Sequence, residues 1–205
     1  MVPRRVGARL AGVPSAVLPA HQRVLDAATR KAVDLHIVTF DASTHTADDA
    51  ARAVGVEVAR IVKSLVFVTV TEQGPEPIIC LISGANRVDV GRLAAVVGLP
   101  GLRRATAREA HDLTGFPIGG IPPFGHSRPT RVIMDPDLTS FPTVWAAAGT
   151  SASVFEVPPA ALRSLANATV APVTEHQAAE RATLLPGQAG LAATGVLRPG
   201  AASEA

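Results

Sequence analysis

Ile61-Val62-Lys63-Ser64-Leu65-Val66-Phe67-Val68-Thr69-Val70 is the stretch on which the fold turns. It is rich in β-branched residues and almost continuously apolar, the pattern of a strand covered on both faces. Gln73-Gly74-Pro75 follows as a turn, and residues 77–82 read as a second strand, so the pair forms a hairpin.

On the N-terminal side, residues 15–30 read as a helix with Val17, His21, Val24, Leu25 and Ala28 on one face, and residues 35–40 as a strand. Thr46 opens a second helix as its N-cap, with Asp48 and Asp49 in the first turn and Gly55 as its end. On the C-terminal side, Asp89 caps a helix carrying Val90, Leu93, Ala94 and Val97, closed by Gly98. Thr106 and Glu109 form a capping box for another helix that ends near Gly115. Residues 131–134, 144–147 and 153–157 read as short strands, and Pro158-Pro159 start a last helix that runs to about Ala166. Strands and helices interleaved in one unit give an α/β or α+β domain over residues 15–173. Residues 1–13 read as a disordered lead and residues 176–205 as a flexible tail.

The chain has 205 residues, 47% of them hydrophobic, enough for a core that needs neither metal nor disulfide. Cys80 is the only cysteine and sits in an apolar run, which reads as a small buried hydrophobe in a reducing, cytoplasmic setting. Prolines at 3, 14 and 19 break the N-terminal segment, so no signal peptide or membrane span is expected. The net charge of +2 excludes a polycation but permits an anionic partner, because arginines concentrate in residues 1–31 and 85–135. The chain has 17 arginines and only two lysines, Lys31 and Lys63.

Lys63 is therefore worth weighing. In a strand it shares a face with Ile61, Leu65 and Phe67. An unpaired ammonium cannot be buried cheaply, so it reaches solvent, pairs with an acid, or faces a cleft that receives an anion. A compact cation suits a phosphate or ribose oxygen in a narrow site. The second candidate is Gly115-Phe116-Pro117-Ile118-Gly119-Gly120-Ile121-Pro122-Pro123-Phe124-Gly125-His126. Glycine lets backbone amides approach a ligand and proline stiffens the loop; the segment is either an oxyanion cradle or a connection with special dihedrals. His126 is a donor, a base or an exposed loop residue. His36, His45 and His111 lack metal-ligand spacing, and the sequence has neither a Gly-x-Ser-x-Gly elbow nor a P-loop. Asp135 and Asp137 flank Pro136 and read as a turn or helix start.

Taken in order, these pieces resemble the YbaK/prolyl-tRNA-synthetase-associated editing domain family over residues 35–165. The matching run is Thr46 with its Ala-rich helix, Val62-Lys63-Ser64-Leu65, Ile82-Ser83-Gly84, the helix from Asp89, Thr114-Gly115, Gly119-Gly120-Ile121-Pro122-Pro123-Phe124-Gly125, the strand to Asp135, and Ala148-Gly149. The resemblance implies a single compact domain with a curled mixed sheet flanked by helices. It implies hydrolysis of the ester of a mischarged tRNA, tRNA-Pro or a related small-amino-acid mischarge, by a freestanding cytoplasmic enzyme with no metal and no cofactor. The aminoacyl-tRNA 3′ end is the implied partner, with a synthetase as a further one. Lys63, Gly119 and Gly120 take the catalytic positions, Lys63 on the tRNA end and the glycines at the aminoacyl carbonyl. Phe40, Thr46, Ser64, Ser83, Ile121, Pro123, Phe124, Gly125, His126 and Gly149 take the substrate-binding ones. The water is activated with help from the terminal ribose hydroxyl. Many relatives carry Ser-Gly-Gly where this chain has Ala147-Ala148-Gly149, which opens a second reading: a non-catalytic module that binds a nucleotide, a tRNA end or a protein in the same cleft.

Overall fold

The computed structural model describes residues 18–41 and 46–175. Its elements in order are α1 (Pro19–Thr29), β1 (Ile37–Thr39), α2 (Ala47–Val54), β2 (Ile61–Thr71), β3 (Gly74–Ser83), α3 (Val90–Val97), β4 (Arg103–Arg104), α4 (Ala107–Thr114), β5 (Arg131–Met134), β6 (Val144–Ala147), β7 (Ser153–Val157), α5 (Pro159–Ala166) and β8 (Thr169–Val170). One mixed sheet holds all eight strands in the order β1-β7-β6-β2-β3-β5-β8, with β4 added to β2. The lead and tail expected at 1–13 and 176–205 lie outside the described residues.

The capping signals act as read. Thr46 and Asp49 close a reciprocal capping box, as do Thr106 and Glu109. Asp89 accepts from the amide of Arg92, and Gly55, Gly98 and Gly115 end their helices in the left-handed conformation. Asp135 caps a 3₁₀ turn (Pro136–Ser140).

Several boundaries are corrected. Helix α1 spans Pro19–Thr29, with proline in its first turn, where no amide partner is needed; Ser15, the expected start, lies outside the described residues. Strand β1 has three residues instead of six, although Phe40 still donates to the Ala152 carbonyl. The hairpin turn is tighter than Gln73-Gly74-Pro75: Thr71 faces Gly74, leaving Glu72 and Gln73 as the two-residue loop. Pro75 and Pro77 therefore lie within β3, in the part that β5 does not reach, since β5 pairs only with Ile78–Leu81.

The sheet buries both faces of β2, as the continuous apolar run requires. Val62, Val66 and Val68 join Ile79, Leu81, Ala110, Leu113, Ala146 and Leu162 beneath α1, α4 and α5. On the opposite face Phe67, Ile78, Cys80 and Ile82 pack against Leu93 and Val97 of α3, and Ile61 packs with Ala50, Ala51 and Trp145 beside α2. Cys80 is fully buried, and desolvation, its largest perturbation, pushes its thiol up to about 12. It packs as a small inert hydrophobe.

Candidate functional site

The site lies where the sheet is left incomplete. Strand β2 pairs with β3 along ten successive residues. Along its other edge it meets β6 only at Ile61 and Val62, and β4 only at Phe67 and Val68. Among the described residues, no strand flanks the intervening Lys63–Val66 stretch on that side. A cavity of about 260 Å³ fills the gap and reaches both sheet faces. Its wall includes Lys63, Ser64, Val66, Ile118, Gly119 and Trp145, with Thr46, Ala47 and Ala50 from the first turns of α2. Among the described residues, no His, Cys, Asp or Glu is on that wall.

Lys63 is half-buried, and its Nζ donates to the Asn86 carbonyl at 2.9 Å. Asn86 is held in turn by its Nδ2, which donates to Asp137 Oδ2 at 2.7 Å. Burial pushes the Lys63 pKa below its ordinary value; Asp48 opposes this, while Arg87 and Arg104 add to it. An ammonium in this position gains from an incoming anion.

Two further polar atoms on the wall have no partner. Ser64 Oγ and Trp145 Nε1 are buried without a hydrogen bond. Buried polar groups are normally satisfied, so two unsatisfied atoms on residues that line one cavity mark a place where a ligand could supply the missing partner. By strand alternation they lie on opposite sides of the sheet: Ser64 with Val62 and Val66, Trp145 with Ile61 and α2.

The glycine loop closes the cavity. Gly119 stands on the wall with φ +87°, a conformation that glycine adopts without strain. Gly120 is engaged otherwise: its amide donates to Pro117 O at 3.0 Å and its carbonyl accepts from Gly149 N at 3.0 Å. A Cβ on Gly120 would come within 2.7 Å of the Thr150 backbone. Gly120 and Gly149 thus lock the loop to the β6–β7 turn, and the Gly120 amide is spent on the turn rather than directed at a substrate.

Of the expected site residues, the structure brings Lys63, Thr46, Ser64, Gly119 and Ile121 together on the cavity wall. Gly120 and Gly149 stand just behind it. Phe40, Ser83, Pro123, Phe124, Gly125 and His126 are off the wall. Ser83 accepts from Ala85 N at 3.2 Å and donates to Ala59 O at 2.8 Å, so it pins the turn that carries Asn86. Phe124 packs on Phe155 in the core, with ring centroids 5.6 Å apart. His126 donates from Nε2 to Pro122 O at 2.7 Å, which leaves Nδ1 to accept from Thr130 Oγ1 at 2.9 Å. Desolvation lowers its pKa to about 4, so the ring is a neutral loop clamp at pH 7. Thr46 uses its hydroxyl to cap α2.

Trp145, Arg104, Ala105 and Ala110 also line the cavity, and sequence reading passes over them. Trp145 is the only tryptophan in the chain, and that singularity was the available signal. Among the described residues no cluster of three or more His, Cys, Asp or Glu side chains could hold a metal, and no helix is long and apolar enough to cross a membrane.

A family model described as "Aminoacyl-tRNA editing domain" matches residues 41–165. The Bacillus subtilis (strain 168) protein YwhH is 32% identical over 123 residues, covering 60% of this chain and 76% of YwhH. A proline–tRNA ligase of Cupriavidus necator is 31% identical over 121 residues; the match spans 59% of this chain but only 19% of the ligase. A crystal structure described as a candidate trans-editing enzyme for prolyl-tRNA synthetase superposes with a TM-score of 0.69 at 47% identity, over 77% of this chain and 98% of that one.

Proposed function

Because the chain belongs to the aminoacyl-tRNA editing domain family, we propose that it hydrolyses, in trans, the ester that joins a wrong amino acid to the terminal adenosine of tRNA. The observation that carries this reading is the cavity at the break in β2, which gathers Lys63 and Gly119 and, among the described residues, has no carboxylate, imidazole or thiol on its wall. A wall whose described residues offer no side-chain base suits an ester that is already activated and a substrate that supplies its own hydroxyl.

Lys63 takes an anionic or ribose oxygen of the 3′ nucleotide, displacing or sharing the Asn86 carbonyl. The Trp145 indole N–H, on the same side of the sheet, donates to another acceptor of that nucleotide. The Gly119 amide faces the aminoacyl carbonyl and stabilises its oxygen as charge develops. The free hydroxyl of the terminal ribose orients a water, which attacks the carbonyl carbon. The tetrahedral intermediate then collapses, the bond to the esterified ribose oxygen breaks, and that oxygen takes up the proton. The products are the free amino acid and tRNA. Fixing the water and the ester together supplies much of the acceleration. A cavity of about 260 Å³ suits a small aminoacyl group.

The similarity to a segment of proline–tRNA ligases and to a structure described as a trans-editing candidate for that synthetase supports tRNA-Pro as the carrier. A synthetase is the natural partner of such an activity. One observation favours the non-catalytic alternative: Ala147 stands on the wall and offers no hydroxyl to a substrate.

The test is deacylation of Ala-, Cys- and Ser-tRNA-Pro by the wild type and Lys63→Ala. Release of one amino acid, lost in the variant, supports the hydrolase. Tight tRNA binding with no release above buffer from any member of the panel would overturn it.

A further inference from the structure

Resting on the hydrolase reading, we infer that Ser64 is a specificity determinant and that the amino acid edited bears a short side-chain hydroxyl, serine before alanine. The lobe of the cavity on the Ser64 side is walled by Val62, Val66, Ala105, Ala110, Ile121 and Ala146, all apolar and all part of the larger core cluster, and by Ser153, whose hydroxyl is already engaged with Thr150 Oγ1 at 2.6 Å. In that apolar lobe Ser64 Oγ is buried and has no hydrogen-bond partner. A chamber meant for a methyl group would be better served by an alanine at position 64, since an unmet buried hydroxyl costs free energy.

The side chain of Ser64 is on the opposite face of β2 from Lys63. With the nucleotide beside Lys63 and the reacting carbonyl beside Gly119, the part of the substrate that reaches the far lobe is the amino-acid side chain. A serine hydroxyl can both donate and accept, so a ligand hydroxyl satisfies Ser64 Oγ in either sense. Among the described residues the wall of this lobe carries no charge, which disfavours acidic and basic side chains, and its small alanines leave room for a side chain of two or three heavy atoms.

Serine and 2-aminobutyrate have the same number of heavy atoms and differ by a hydroxyl against a methyl. Measuring kcat/KM for both as esters on one tRNA isolates the hydrogen bond from pocket size. The wild type is expected to favour the seryl ester about tenfold, the value of one neutral hydrogen bond. Ser64→Ala is expected to abolish or invert that ratio, whatever the variant's overall rate. The ratio is internal to each variant, so a fall in the amount of folded protein cancels. Hydrolysis of both esters with the same ratio in wild type and Ser64→Ala would overturn the inference and leave the hydrolase reading standing. Hydrolysis of neither, with tRNA still bound, would overturn the hydrolase reading and this inference with it.

Discussion

Along one edge of β2, every residue from Val62 to Thr71 faces a partner in β3; along the other, the ladder stops after Val62 and resumes at Phe67. The same apolar strand is thus a sealed core element on one side and the lip of a cavity on the other. The difference shows how a stable sheet makes room for chemistry. The hairpin holds β2 in register, so its other edge can go without a neighbouring strand between β6 and β4, where Ala105 N still donates to Val66 O at 3.0 Å, without the strand losing its place. Substitutions on the two sides should accordingly separate stability from function.

The largest effect is expected on the sealed side. Ile78 faces Phe67, is fully buried and packs away from the cavity. Ile78→Ala should lower unfolding free energy by about 3 kcal/mol, through lost burial and the void left behind. Chemical denaturation measures that loss, and the rate per folded molecule should not change. A parallel fall in that rate would mean the two sides are not separable.

On the open side, Lys63→Met should do the reverse, cutting deacylation about a hundredfold without lowering the melting temperature. Burial holds the Lys63 pKa below its ordinary value, so the charged form is disfavoured in the fold. The unfolded chain then binds the proton more readily, and this residue contributes a stability that rises with pH as the lowered folded pKa is passed, up to the ordinary value near 10.5. A methionine keeps the stem and removes the charge, so stability at pH 7 should hold or rise. Thermal melts of both proteins at pH 7 and pH 10 check the sign: the variant should lose the increase seen in the wild type.

The hairpin and the capped helices were legible in the sequence because each depends on local chemistry. Continuous β-branched residues, Thr46 with Asp49, Thr106 with Glu109, and glycines with positive φ leave their mark within a few positions. The resemblance to the editing family also pointed to Lys63, Ser64 and Gly119, which the fold brings to one wall. The break in the β2 ladder was not legible. It depends on β6 and β4 stopping short, and β4 is only two residues long, too short for any periodicity. The separation of the glycine loop into Gly119 on the wall and Gly120 and His126 behind it rests on hydrogen bonds to Pro117, Gly149, Pro122 and Thr130 that composition does not encode.

His126 sharpens the contrast from behind the loop. Its folded pKa of about 4 lies below the ordinary 6.5, so the unfolded state takes up the proton first as pH falls. The stability that this group contributes is fully present above about pH 6.5 and is lost on going down to about pH 4, below which there is no further change. Urea midpoints between pH 7 and 4 should fall in the wild type and fall less in His126→Asn. Activity should not show a 6.5-centred ionisation from this ring, because it is neutral throughout the working range and off the cavity wall.

The smallest effect expected concerns a residue outside the 41–165 family match. Arg23 of α1 lays its guanidinium 3.7 Å from the centroid of the Phe116 ring, and its Nη2 donates to the Gly115 carbonyl at 3.0 Å. It therefore caps the C-terminal end of α4 with a cation and clamps the start of the glycine loop from the far side. Removing the clamp leaves the loop attached through Gly120 and Gly149 but free to shift at its entry. Arg23→Met should lower kcat about tenfold with little change in KM for tRNA, because the shift displaces Gly119 from the reacting carbonyl rather than removing a tRNA contact. Arg23→Lys should not restore the rate, since an ammonium cannot both lie flat on the ring and reach the carbonyl with a planar fork. A rise in KM with kcat intact, steepened by salt, would instead place Arg23 on the tRNA backbone and make α1 part of the binding surface rather than a brace for the open edge.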